Sequence, residues 1–111
     1  MKVVSKAAVL QQRLTYQAWQ ERRILERADH PFLVKLTAAF QSDRSLFYVM
    51  EYCPGGELYY YLRRIGHFKE LTAQFYAANI LLALEHLHGS MGVVYRDLKP
   101  ENVLIGVDGY I

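Results

Sequence analysis

Cysteine is nearly absent from this sequence. A single residue, Cys53, excludes an internal disulfide framework and fits a reducing compartment. Long apolar runs are also missing. The longest stretch, Ala77 to Leu84, falls far short of the roughly 18 residues that a membrane span requires. The opening MKVVSKAAVLQQ lacks the apolar centre and small-residue cleavage site of a secretory leader. Charge of one sign is not in surplus: 13 Lys and Arg face 11 Asp and Glu, a net charge of +2. That balance gives no reason to expect nucleic acid or an anionic membrane as the main partner. What is present is globular in character, with 52% hydrophobic and 22% charged residues in 111. Neither disorder nor a fibrous repeat fits those fractions. A soluble, cytoplasmic, single-domain length of chain is the expectation.

Along the chain, MKVV opens as a short strand and residues 14–27 form a helix that Asp29-His30-Pro31 stops. Proline lacks the amide donor and disfavours helix in the residue before it. Phe32 to Phe40 predicts a turn and then a strand. The polar turn Gln41 to Ser45 leads to a second strand, Leu46 to Glu51, rich in β-formers. The two make a hairpin in a sheet with the first strand. Cys53-Pro54-Gly55-Gly56 is the strongest break, so a boundary is placed there. Beyond it a short helix is expected over 57–64 and a long one over 71–88. The long helix is apolar nearly all round, which suits the middle of a core. Short β-like pieces follow at Val93-Val94, Val103 to Ile105 and Tyr110-Ile111.

The string Tyr95-Arg96-Asp97-Leu98-Lys99-Pro100-Glu101-Asn102 carries the most chemistry. Phosphoryl transfer needs a carboxylate to orient a hydroxyl, an oxygen ligand for magnesium and a cation for the moving phosphoryl group. Asp97, Asn102 and Lys99 are those residue types, although a bare Asp-x-x-x-x-Asn also occurs in solvated loops. On the 14–27 helix, Leu14, Ala18, Leu25 and Ala28 share a stripe that also contains Glu21. A carboxylate there either finds a cation or lies at the stripe's edge in water. His30, His67, His86 and His88 show no metal-site arrangement, and surface or capping roles are expected for them.

The eight-residue string closely resembles the catalytic loop of eukaryotic protein kinases, with Tyr95 in place of the commoner histidine. Lys99 resembles the serine/threonine type. Tyr-Arg-Asp together with HPFLVKL, MEYCPGGEL and LRRIGHF resembles the AGC group, which includes the cyclic-nucleotide-dependent kinases, protein kinase C and the ribosomal S6 kinases. The resemblance spans essentially the whole chain. It implies an α+β, partial bilobal kinase-like fold. Residues 1–53 would supply part of the small lobe with its hinge, and residues 54–111 the start of the helical lobe.

The resemblance also implies roles. Asp97 would orient the substrate hydroxyl as base, Lys99 would neutralise the phosphoryl group and Asn102 would hold Mg2+. Lys2, positioned by Glu21, would grip the phosphates of ATP, unless it is merely a frayed terminal lysine. Met50 would be the gatekeeper beside adenine. The carbonyl of Glu51 and the backbone of Cys53 would bond the base, and Leu104 would close its pocket. Leu25, Leu36 and Tyr95 match an apolar spine. Arg96 would receive a phosphate placed by an activating kinase, or else make a local salt bridge. Glu57, near the ribose, and Glu101 would pair with arginines upstream of the target Ser or Thr of a protein substrate. Each glutamate also has an ordinary alternative, a helix-dipole contact for Glu57 and solvent for Glu101.

A Gly-rich loop would precede Lys2 and an Asp-Phe-Gly motif would follow Ile111. The chain is therefore expected to be a central segment of a domain of about 250 residues. Alone it is expected to be inactive and to expose the apolar faces of the 71–88 helix, acting at most as an interaction fragment. A non-catalytic kinase-like scaffold or allosteric partner, and a small-molecule kinase of related fold, are the alternatives; an activating kinase or a regulatory subunit is expected as a partner of the parent.

Overall fold

The computed structural model describes residues 1–111, an α+β chain in two compact units. The first unit comprises Met1–Asp29 and Val34–Glu51; the second comprises His30–Leu33 and Tyr52–Ile111.

In the first unit, strands β1 (Lys2–Ser5), β2 (Leu36–Gln41) and β3 (Ser45–Met50) form an antiparallel sheet in the order β1-β3-β2. The expected hairpin is the β2–β3 pair, closed by Ser42 and Ser45, and β1 joins its other edge, with Lys2 opposite Tyr48. The pairing slips between Leu36 and Ala38, where an irregularity bends β2. Helix α1 (Lys6–Gln11) was not expected from the sequence. It is one and a half turns long, and the Ser5 hydroxyl accepts the Ala8 amide at its start. Helix α2 (Thr15–Arg27) ends one residue before Ala28, which caps it through Ile24. Of the stripe read from the sequence, Ala18, Glu21, Leu25 and the capping Ala28 are half-buried, whereas Leu14, just before the helix, is exposed. Tyr48, on the central strand, is the one buried residue of this unit.

In the second unit, β4 (Gly56–Glu57) pairs with β5 (Leu104–Ile105). Helix α3 (Leu58–Ile65) follows β4 directly, and Arg63 and Arg64 sit in its last turn, where they complement the helix dipole. Helix α4 (Glu70–Glu85) is shorter than the expected 71–88, because the chain widens into a π-type turn over His86–Ser90. The core is Leu58, Val103 and Ile105, covered by Phe68, Tyr76, Ile80 and Ile111. Gly55 explains how β4 and β5 come so close. A Cβ there would lie 2.7 Å from the Cβ and carbonyl oxygen of Ile105.

Helix α4 exposes its apolar faces, as expected for this segment alone: only Asn79 and Ala83 are buried, and Leu71, Leu81 and Leu82 are exposed. An apolar circumference describes a capacity for burial and does not by itself supply the covering residues. Val93-Val94 and Tyr110-Ile111 are not strands, since neither finds a ladder partner. His30 and His86 are half-buried with ring centres 5.1 Å apart, and both cap backbone as expected: His30 Nδ1 accepts the Phe32 amide and His86 is the C-cap of α4. No helix is long and apolar enough to cross a membrane.

Candidate active site

The catalytic-loop residues lie between the π-type turn and β5. A 3-10 turn, Pro100–Asn102, begins with proline at a position whose missing donor costs nothing. The turn brings Asn102 back onto Asp97. Asn102 Nδ2 donates to Asp97 Oδ2 at 2.8 Å and to the Asp97 carbonyl at 2.9 Å. Lys99 Nζ donates to Asp97 Oδ1 at 2.9 Å. Both carboxylate oxygens are thus engaged, although the site is open to solvent. The Lys99 bond, then the Asn102 bond, holds the Asp97 carboxyl below the usual aspartate value. The same contact with Asp97 holds the Lys99 ammonium above its ordinary value. Each contact thus favours the charged form of its group, the Asp97 carboxylate and the Lys99 ammonium.

Backbone geometry orients this group. Arg96 adopts φ 62, and the Asp97 amide donates to the Tyr95 carbonyl at 3.0 Å. That is a three-residue γ-turn of the strained kind. Left-handed conformations of non-glycine residues cost about 1–3 kcal/mol and cluster at functional sites. The sequence offered no signal of it. Arg96 itself is exposed and makes no ion pair, so the local salt bridge considered for it is not formed.

In the first unit, Lys2 on β1 and Glu21 on α2 form an ion pair, Nζ to Oε1 2.5 Å, with both side chains somewhat under half exposed. The covered stripe of α2 puts Glu21 toward the sheet, and the cross-strand partner of Lys2 is Tyr48. Burial first, and then the negative charge of Glu21, raises the Tyr48 phenol above 10.0. Tyr48 was missed in the sequence because it reads as one of several aromatic residues in LFYVM. Its place opposite Lys2 depends on the strand register.

The remaining residues are distributed as follows. Met50, half-buried, ends β3 opposite Leu36, and Glu51 follows it. Leu25 on α2 and Leu36 on β2 belong to packed elements of the same unit. Cys53 is half-buried; Tyr95 is 38% exposed and belongs to the second unit. Leu104 is half-buried on β5, opposite Glu57 on β4. Beside Glu57, the 3-10 turn bearing Glu101 packs against both β4 and α3. A cleft of about 440 Å3 opens between α1, α2 and the hairpin. Trp19, Arg22 and Phe40 are in its wall, which contains no carboxylate, histidine or cysteine.

A protein kinase domain family model matches residues 1–111. The chain belongs to the protein kinase family. Its relatives are serine/threonine kinases of the AGC type. It is 46% identical over 111 residues to a RAC family serine/threonine-protein kinase homolog of Dictyostelium discoideum, of which it covers 25%. It is 45% identical over 111 residues to the putative serine/threonine-protein kinase PRKY of Homo sapiens, of which it covers 40%. Over 113 residues it is 51% identical to protein kinase PINOID 2 of Arabidopsis thaliana, of which it covers 21%. All of this chain is covered in each comparison, so it spans well under half the length of these relatives.

Kinases use ATP with Mg2+, and the donor set of this family member suits that ion. Magnesium is held by one or two protein oxygens together with waters and substrate phosphates. Both Asn102 bonds to Asp97 run from Nδ2, so Oδ1 would be the atom available to such an ion. No cluster of three or more acidic, histidine or cysteine ligands is needed for such a site, and none exists here.

Proposed function

We propose that the whole protein transfers the γ-phosphoryl group of ATP to serine or threonine hydroxyls of protein substrates, with a preference for arginine upstream. The Asp97–Lys99–Asn102 constellation carries this reading. Asp97 is ionised and held from two sides, so it can accept a bond from the attacking hydroxyl and later its proton. Lys99 shifts from Asp97 Oδ1 to the phosphoryl oxygens, which frees that carboxylate oxygen for the hydroxyl. Asn102 stays anchored through Nδ2 while Oδ1 faces the cation, whose chemistry is to neutralise phosphate charge. Lys2, steadied by Glu21, holds the nucleotide phosphates. Adenine is assigned to backbone groups of Glu51 and Cys53, with Met50 and Leu104 as its apolar neighbours by resemblance.

Arg96, exposed and without an acidic partner, suits a phosphate placed by an activating kinase. Glu57 and Glu101 lie on adjoining elements of one unit, which supports joint recognition of an arginine-bearing protein substrate. The direct test is phosphate transfer from labelled ATP to Ser/Thr peptides by the longest natural polypeptide that contains these residues. Stoichiometric incorporation that Asp97→Asn abolishes is expected. Nucleotide binding without any transfer would instead favour a scaffold.

A further inference from the structure

The ladder between β2 and β3 continues past its last paired residues, Leu36 and Met50. One step on, the Glu51 amide donates to the Lys35 carbonyl at 3.0 Å. In a regular antiparallel ladder such a pair exchanges two bonds, and the second would run from the Lys35 amide to the Glu51 carbonyl. Here the Lys35 amide donates to Glu51 Oε1 at 2.8 Å. The side chain of Glu51 occupies the place that its own main-chain carbonyl would have filled. A carboxylate is the stronger acceptor, because a hydrogen bond to an ionised group is roughly twice as strong as a neutral one.

We propose that the Glu51 carboxylate is a positioning group for adenine recognition: by taking the Lys35 amide, it keeps the Glu51 carbonyl out of the sheet and free to accept the exocyclic amino group of the base. The inference rests on the ATP reading above. It adds a side-chain role at a position where the backbone alone was expected to act. It also explains why a charged side chain lies folded against the strand end when, exposed as it is, it could extend into water. Without the carboxylate, the nearest acceptor for the Lys35 amide is the Glu51 carbonyl, and the sheet then competes with the nucleotide for one oxygen.

The test compares ATP with purine riboside triphosphate, which lacks the 6-amino group, in binding titrations of the longest natural polypeptide containing this chain. The wild type is expected to prefer ATP. Glu51→Ala is expected to lose about 3- to 10-fold of that preference, the worth of one neutral hydrogen bond. The loss should fall on ATP alone, with the analogue bound as before. Glu51→Gln, which retains an Oε1 acceptor, should restore most of it. If Glu51→Ala does not fold, Glu51→Asp, whose carboxylate is a methylene short of the Lys35 amide, reads the same ratio. An equal ratio in all variants, or equal weakening of both nucleotides, overturns the proposal and leaves the kinase reading standing. A wild type that binds neither nucleotide overturns the ATP reading and this proposal together.

Discussion

Lys99 Nζ rests 2.9 Å from Asp97 Oδ1, so the cation proposed to meet the phosphoryl group is paired with the proposed base. Its electrostatic consequence can be measured. Asp97 is held below the ordinary value of 3.8, with Lys99 the larger cause and Asn102 the smaller. A depressed carboxylate keeps its full contribution above the unfolded pKa and loses it as pH falls through the folded one. The Asp97 network is therefore intact at pH values above 3.8 and dissolves only in stronger acid. At the alkaline end Lys99, raised above 10.5, keeps the pair below that value and loses it as pH climbs through its higher folded pKa. Lys99→Met should move the Asp97 titration up toward 3.8 by more than Asn102→Ala does. Carboxyl-carbon NMR reads both, and equal displacement would contradict the ranking.

Asp97→Asn keeps the shape of the side chain and removes its charge. A positioned base contributes about 10²–10⁴-fold to rate. Single-turnover transfer should fall by that order, while nucleotide affinity, which depends on other residues, stays within a few-fold. Near-normal turnover would mean that another group accepts the proton.

Tyr48 reports on the Lys2–Glu21 pair from inside the first unit. Glu21 raises its phenol and Lys2 lowers it, with burial the largest influence. Glu21→Gln should lower the Tyr48 pKa, and Lys2→Met should raise it further. Phenol ring-carbon shifts followed against pH distinguish the two. Identical titrations would show that the pair does not stand beside Tyr48 in solution.

The contiguous chemistry was legible in the sequence. Asp97, Lys99 and Asn102 lie within six residues, and a proline-initiated turn is enough to bring them together. The end of α2 was legible because Pro31 is a local stop. The hairpin was legible because a polar turn separates two β-rich runs. Features set by distant partners were not. Gly56-Glu57 becomes a strand only because Leu104-Ile105 returns beside it. Helix α1 is too short to show a period, and its Ser5 cap is also the last residue of β1. The strain at Arg96 and the carboxylate of Glu51 on the Lys35 amide are backbone events that residue types do not announce.

Gly55 offers a test of that distant pairing. An added methyl would meet the Cβ and carbonyl oxygen of Ile105 at 2.7 Å, and Ile105 belongs to the core of its unit. Overpacking costs about 1–3 kcal/mol. Gly55→Ala should destabilise the second unit by that much in denaturant titration and speed amide exchange at Gly55, whose donor is the Ile105 carbonyl's partner at 2.9 Å. Exchange as slow as in the wild type would mean that β4 and β5 shift apart without loss.

The proposed preference for arginine rests on two glutamates. Glu57 is exposed at the end of β4, and Glu101 is half-buried in the 3-10 turn that packs against it. Neither makes an ion pair within the chain, so each carboxylate has acceptor capacity for an outside cation. Arginine fits because its planar fork makes charge-assisted, bidentate bonds that lysine cannot reproduce. A peptide with arginine two or three residues before the target Ser or Thr should be used better than one with lysine, and that one better than alanine. Exposed ion pairs contribute about 0.2–1 kcal/mol and partly desolvated ones more, so the arginine preference lost in Glu101→Gln should be a few-fold at least. The loss should appear only for the arginine-bearing peptide, which separates recognition from general damage. Steady-state comparison of the three peptides, with wild type, Glu57→Gln and Glu101→Gln at two salt concentrations, decides the matter. Recognition by charge must weaken as salt rises. An arginine preference that survives both substitutions unchanged would place the determinant elsewhere in the protein.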